Sequence, residues 1–232
     1  MIKFIQDIFY KMGLIVKLVR PDNNLWLQQR NIKTVLDVGA NTGQFANLIH
    51  KILPQANIIS FEPIKKCYNQ LLQNTASLNI KTYNCALGET DEMQEINISA
   101  HSPSSSLLPM TKLHNEVFAG TNFVETESIT VKTLDLLFAE LPIKGKFMIK
   151  VDVQGFEDKV IKGGAETFKK ADCVLIETSF VELYEGQLLF DGIYQMLVGL
   201  GFEFKGNYTQ TKSKEDGSII YAESFFVNKN QL

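Results

Sequence analysis

The stretch Thr34-Val35-Leu36-Asp37-Val38-Gly39-Ala40-Asn41-Thr42-Gly43-Gln44-Phe45 limits what this chain can fold into more than any other. Val35, Leu36 and Val38 make an apolar, β-rich run too short for a helix, which predicts a buried strand. The run ends in Gly39-x-Asn41-x-Gly43, where glycines permit a tight turn and let a ligand approach the backbone closely. Phe45, Leu48, Ile49 and Ile52 follow at helical spacing. A strand, a glycine-rich turn and a helix open a nucleotide-binding α/β unit, and the free N–H groups at the helix start suit an anion.

Ile58-Ile59-Ser60-Phe61 reads as a second apolar strand. Glu62 stands at its end, about 20 residues past the turn, where an acid accepts hydrogen bonds from both ribose hydroxyls of an adenosine. A nicotinamide dinucleotide is disfavoured, because its G-x-G-x-x-G fingerprint needs glycine where Asn41 and Gln44 stand. The wider loop suits an amino-acid head group rather than a pyrophosphate, and S-adenosyl-L-methionine is the adenosine cofactor that carries one. Asp37, Gly39, Ala40, Asn41, Gly43, Gln44 and Phe45 are therefore expected around its methionine end, with Glu62 and Pro63 at the ribose.

The rest of the chain alternates helix and strand in the doubly wound manner. A helix is expected over residues 64 to 77 with Leu71, Leu72 and Ala76 inward. A strand from Ile80 to Cys85 runs into Ala86-Leu87-Gly88, which places Ala86 and Leu87 beside the adenine. Met93 to Ser99 and Ser128 to Val131 read as an inserted hairpin. Between them the irregular, serine-rich stretch from about Ser99 to Asn122 is a candidate lid, since long irregular loops in compact domains are often functional. Its Ser105 and Ser106 are candidate acceptor-binding residues. Leu134 to Ala139 is a short helix. Phe147 to Val151 is an apolar strand that delivers Asp152 to the carboxyl edge of the sheet, and Gly163-Gly164 ends the helix after it. Cys173 to Ile176 is a strand ending at Glu177. Gly201 to Lys205 and Ala222 to Val227 are the last two strands, joined by a polar loop from Asn207 to Ser218.

Methyl transfer to an alcohol needs a base near the acceptor. Asp152 is the first candidate, either as the base itself or, less favourably, as the holder of a divalent cation. No metal site is otherwise expected. Glu157 is a second catalytic candidate, although a first-turn acid also suits the helix dipole. Glu177 is expected to share acceptor binding. His101 and His114 are alternative bases on the loop, expected to be exposed.

With 232 residues and 45% of them hydrophobic, the chain has material for one large core. The expected division is a helical appendage over residues 1–30 and a catalytic domain over 31–232. Residues 1 to about 20 read as an amphipathic helix, too charged to cross a membrane or to serve as a signal peptide. It suits packing on the domain, self-association, or peripheral contact with an anionic membrane surface. A net charge of −3 gives no electrostatic reason to bind nucleic acid. Cys67, Cys85 and Cys173 lack metal spacing and read as reduced thiols of a cytoplasmic protein.

Taken together, Val35 to Gly43, Phe61-Glu62-Pro63, Ala86-Leu87-Gly88, Ser104-Ser105-Ser106-Leu107, Thr133-Leu134-Asp135 and Ile149 to Glu157 resemble the FkbM-type S-adenosylmethionine-dependent methyltransferases over residues 33 to 227. The resemblance implies a class I, Rossmann-like fold: a doubly wound seven-stranded sheet, mostly parallel, whose last strand is antiparallel. It also implies O-methylation of a sugar, glycan or other small hydroxylated metabolite. Many such proteins carry Glu where Gln154 stands, so no charged or metal-binding role is expected there. The rival classes are a catalytically silent partner-binding module, a nicotinamide-dependent oxidoreductase and a nucleic-acid base methyltransferase. The last is disfavoured because Asp152-Val153-Gln154-Gly155 replaces the Asp/Asn-Pro-Pro-aromatic motif of exocyclic-amine enzymes.

Overall fold

The structure, a computed structural model, describes residues 9, 10, 13 and 25–231. Apart from those three isolated positions, the amphipathic helix expected over residues 1–20 lies outside the described residues. The chain divides into two compact units, Met1–Asn31 and Ile32–Leu232. In the first, Leu25–Gln29 forms a short helix, α1. No helix among the described residues is long and apolar enough to cross a membrane.

The second unit opens with β1 (Thr34–Val38), α2 (Gln44–Ile52), β2 (Asn57–Phe61), α3 (Lys65–Asn74) and β3 (Ile80–Tyr83). An insertion follows: β4 (Ala86–Leu87), β5 (Glu92–Ser99), α4 (Lys112–Val117) and β6 (Phe123–Lys132). The chain then resumes with α5 (Leu134–Phe138), β7 (Phe147–Val151), α6 (Glu157–Gly163), α7 (Ala165–Lys170), β8 (Cys173–Ser179), α8 (Phe190–Gly199), β9 (Phe202–Lys212) and β10 (Ile219–Asn228). The main sheet runs β3-β2-β1-β7-β8-β10-β9. Its neighbours are parallel from β3 to β8, and β10 lies antiparallel between β8 and β9. This is the doubly wound class I arrangement expected from the sequence, with its last strand reversed.

Strands β1 and β7 are buried at every residue. Central parallel strands covered by helices on both faces must be apolar throughout, and the uninterrupted runs around Leu36 and Ile149 satisfy this. The helices bury one stripe each. In α2 it is Ala46, Ile49 and Ile52. In α3 the inward stripe is Cys67 and Leu71 with Thr75 just beyond, at four-residue spacing. Leu72 and Ala76, expected inward, face solvent.

Three departures come from interactions distant in sequence. The insertion is a three-stranded sheet, β4-β6-β5, with Glu92 opposite Val131. The expected irregular loop after it contains a 3-10 turn at Ser102–Ser104 and the helix α4. Thr111 caps α4 by accepting the His114 N–H, and His114 itself is buried rather than exposed. Finally, the stretch expected as a polar loop is mostly strand. Hairpin pairing with β10 carries β9 through to Lys212. Its polar side chains lie on a ribbon beyond the core, where no apolar alternation is needed.

The helix α6 ends at Gly163 with Gly164 as its C-cap, as expected, and Gly163 has a second function. A Cβ there would lie 1.8 Å from the Gly88 carbonyl oxygen, so the bare Cα lets α6 press against the end of β4. Gly163→Ala should therefore destabilise the domain by about 1–3 kcal/mol, the usual cost of overpacking. Urea unfolding checks this, and an unchanged midpoint would mean that the β4 end can retreat freely.

Candidate active site

Three strand ends are stitched together at the carboxyl edge of the sheet. The Gly39 and Ala40 N–H groups both donate to the Phe61 carbonyl at the end of β2, at 3.1 and 3.0 Å. The Asp152 N–H, after β7, donates to the Val38 carbonyl at 3.1 Å. Gly39 has φ 78, and a Cβ there would fall 1.9 Å from the Asp152 carbonyl oxygen. Both the positive φ and the contact require glycine.

Beneath this turn Asp37 is fully buried beside Lys150, whose Nζ lies 3.5 Å from Asp37 Oδ1 and 3.6 Å from Asp152 Oδ2. The same ammonium donates to the Gly39 carbonyl at 3.2 Å and lies 5.5 Å from the centre of the Phe45 ring. Burial alone would lower the Lys150 pKa, but Asp152 and Asp37 outweigh it and push it up to about 12. Burial raises the Asp37 pKa despite the ammonium and a hydrogen bond from Ser60. Lys150 escaped the sequence reading because a lysine in an apolar strand shows no partner until β1 is laid beside it.

Glu62 is 4% exposed. Its two carboxylate oxygens accept the Asn41 N–H at 2.8 Å and the Ile64 N–H at 2.9 Å, so it fixes the glycine-rich turn against the start of α3. Burial nevertheless raises its pKa to about 7. Glu62 lines a slot of about 90 Å³ together with Gly39, Pro63, Ala86, Leu87 and, from the insertion, Pro103 and Leu107. A second cavity of about 310 Å³ lies over Gly39, Ala40, Asn41, Gln44 and Phe45 and reaches Lys150 and Asp152.

A third cavity, of about 370 Å³, is walled by Asp152, Glu177 and Glu223 on one side and by His101, His114, Phe118 and Tyr221 on the other. Its carboxylates are organised by Gln154. The Gln154 amide nitrogen donates to Asp152 Oδ1 at 2.7 Å and to Glu177 Oε1 at 2.9 Å, while its oxygen accepts the Tyr184 hydroxyl at 2.8 Å. Tyr184 also lies 3.3 Å from His114 Nε2. Burial and the neighbouring Asp152 raise the Glu177 pKa well above the carboxylate range. Burial also lowers that of His114.

Asp152 is the one ionisable side chain common to all three cavities. Not every expected residue joins it. Glu157 lines none of them: its carboxylate accepts the Val153 and Gly155 N–H groups, each at 3.0 Å, and is sealed under the turn it supports. Asp37 likewise stops short of the cavities, with Lys150 in between. Ser105 lines the slot beside Glu62 rather than the third cavity. The Ser106 hydroxyl donates to the Gln154 carbonyl at 2.6 Å and serves as a clamp. Glu177 does reach the third cavity, as expected. Tyr184 and Glu223 were not singled out in the sequence, and Gln154 only as a departure from the family pattern, because each acquires its meaning from a partner many residues away.

Similarity to known proteins agrees with this geometry. A family model described as "Methyltransferase FkbM domain" matches residues 37–204. The 2-O-methyltransferase NoeI of Sinorhizobium fredii is 28% identical over 170 residues, which cover 70% of each chain. The methyltransferase sdnD of Sordaria araneosa is 29% identical over 197 residues, covering 73% of each. The hexuronic acid methyltransferase AglP of Haloferax volcanii is 28% identical over 167 residues, which cover 71% of this chain and 59% of that one. The family match runs from the buried acid of β1 into β9 and takes in every residue that stitches the strand ends together, so this chain belongs to the FkbM methyltransferase family.

Proposed function

We propose that this methyltransferase acts on a hydroxyl of a sugar, glycan or other small hydroxylated metabolite, with Asp152 as the base. The observation that carries the reading is the place of Asp152 where the three cavities meet. The names of two relatives, a 2-O-methyltransferase and a hexuronic acid methyltransferase, support an oxygen acceptor of sugar type.

The residues present fit S-adenosyl-L-methionine. Ala86, Leu87 and Phe61 offer an apolar wall for a purine, Glu62 an acid for the ribose hydroxyls, and the cavity over Gly39 to Phe45 room for the amino-acid end. When bound, the cofactor supplies an electrophilic methyl on sulfur. The chain's own part is to align the acceptor oxygen and to take up its proton. Asp152 suits both tasks. Its side chain keeps 32% of its surface open, and one carboxylate oxygen is steadied by Gln154 while the other faces Lys150. Glu177 then binds a neighbouring hydroxyl. A plain base is favoured over a metal-held acceptor, because the Gln154 amide occupies the position between the two carboxylates.

The slot of about 90 Å³ is small for an adenosine, since ligand pockets run to roughly 300–1,000 Å³. Residues 102–107 fill it, held by a Ser102 hydroxyl donation to Asn41 Oδ1 at 3.3 Å. They should withdraw and reclose on binding, which hydrogen exchange over residues 99–122 with and without cofactor would reveal as altered protection. No change there would remove the lid reading.

Glu62→Ala should weaken cofactor binding by roughly 1.5–3 kcal/mol, the range for hydrogen bonds to a charged group. The ribose hydroxyls donate to the ionised acid, so binding releases a proton below the folded pKa. Wild-type affinity should therefore rise with pH through about 7 and level off above it. Calorimetry of the wild type and of Glu62→Gln, in which this pH dependence should flatten, decides the point. Equal pH profiles would place the ribose elsewhere.

Asp152→Asn keeps shape and the Gln154 contact but loses the charge. Turnover should fall by about 10²–10⁴-fold with cofactor affinity retained, and EDTA should leave the wild type active. Near-full turnover in the variant would move the base to His101 or His114.

A further inference from the structure

We propose that the third cavity admits only sugars free of acid groups, neutral or amine-bearing, and that Glu223 and Glu177 set this selectivity. The inference rests on reading that cavity as the acceptor site.

Glu223 and Glu177 stand directly opposite each other on the antiparallel pair β10 and β8. Two acids so placed repel each other when both are ionised, so a hydrogen-bonding ligand is a natural partner for them. Asp152 extends the row. It follows Val151, whose register partner is Ile176, the residue before Glu177. Three acids thus lie across three adjacent strands. The Glu223 Oε2 accepts the Thr209 hydroxyl at 3.0 Å.

Nothing on the wall of this cavity answers them with a fixed positive charge. Among the described residues lining it, only His101 and His114 could carry one, and burial disfavours it on His114. Lys150 is 5% exposed and already shared between Asp37 and Asp152; it lines the neighbouring cavity, which Asp152 and Glu223 also border, and is not among the residues lining this one. The sequence contains no arginine after Arg30. The domain therefore lacks the planar guanidinium fork that binds carboxylate or phosphate bidentately. Hydroxyl and ammonium groups, by contrast, are donors that three carboxylates can accept. The Phe118 and Tyr221 rings, 6.0 Å apart and tilted by 55°, offer an apolar face to the C–H side of a pyranose. Burial raises the pKa of Glu223, as expected of an acid waiting for a donor.

The size of the effect follows from Coulomb's law. A carboxylate about 6 Å from Glu223, at an effective dielectric of about 20, is disfavoured about 100-fold. The test uses three methyl glycosides that differ at one carbon: a glucoside, its 6-amino-6-deoxy analogue and the glucuronide. We expect the first two to be methylated, with the glucuronide lower in kcat/KM by about 100-fold in the wild type. In Glu223→Gln the glucoside-to-glucuronide ratio should shrink by most of that factor, about 100-fold, because it comes from this one charge. A wild-type glucuronide rate equal to that of the glucoside would overturn the proposal while leaving the sugar reading intact. An unchanged ratio in a folded Glu223→Gln would remove Glu223 from the selectivity. If that variant does not fold, the wild-type ratio alone decides. Turnover of none of the three would overturn the sugar reading, and this inference with it.

Discussion

The architecture of the site depends on a missing side chain. At Gly39 the turn leaving β1 occupies the space that any Cβ would take from the Asp152 carbonyl, 1.9 Å away. That contact lets the first and fourth core strands hold their exit loops edge to edge. The amide of Asp152 can then reach back to Val38, and the ammonium of Lys150 can touch the Gly39 carbonyl. Separate the loops by the width of a methyl group, and Asp152 no longer sits where the three cavities converge.

Charge is organised around the same junction. Lys150 answers two acids on its own face, while Glu62 and Glu157 are satisfied by backbone N–H groups rather than by cations. These two buried acids share a raised pKa of about 7 and a similar task, each locking a turn that follows a core strand. Glu62 also opens onto a cavity and Glu157 does not, and this difference separates an acid within reach of a ligand from one sealed under its loop.

The parts of the fold legible in the sequence were those set by local physics. Uniform apolar runs such as Phe147 to Val151 can only be buried strands, and Gly39 and Gly43 can only mark a turn. Asp152 and Glu62 were legible because strand ends in a parallel sheet are where ligands collect. The two strands of the last hairpin were expected, but its extension to Lys212 and Ile219 was missed, because polar residues on a solvent-facing ribbon look like loop. Glu157 was taken for a catalytic acid because its spacing cannot show that the carboxylate folds back onto its own turn. His114 looked exposed because Thr121 and Tyr184, which enclose it, come from separate segments. Pairing between separate segments accounts for the hairpin and for His114, and a fold-back within one turn accounts for Glu157.

Gln154 has one further implication. An amide between two carboxylates can present only its nitrogen to them, so its oxygen must face Tyr184, and the phenol proton is thereby committed to that oxygen. The same phenol oxygen lies 3.2 Å from the Ser104 carbonyl and 3.3 Å from His114 Nε2, so the amide at 154 ties the loop that carries both residues to the acids. A glutamate at 154 would add an acceptor where the acids now find a donor, and that tie would be lost.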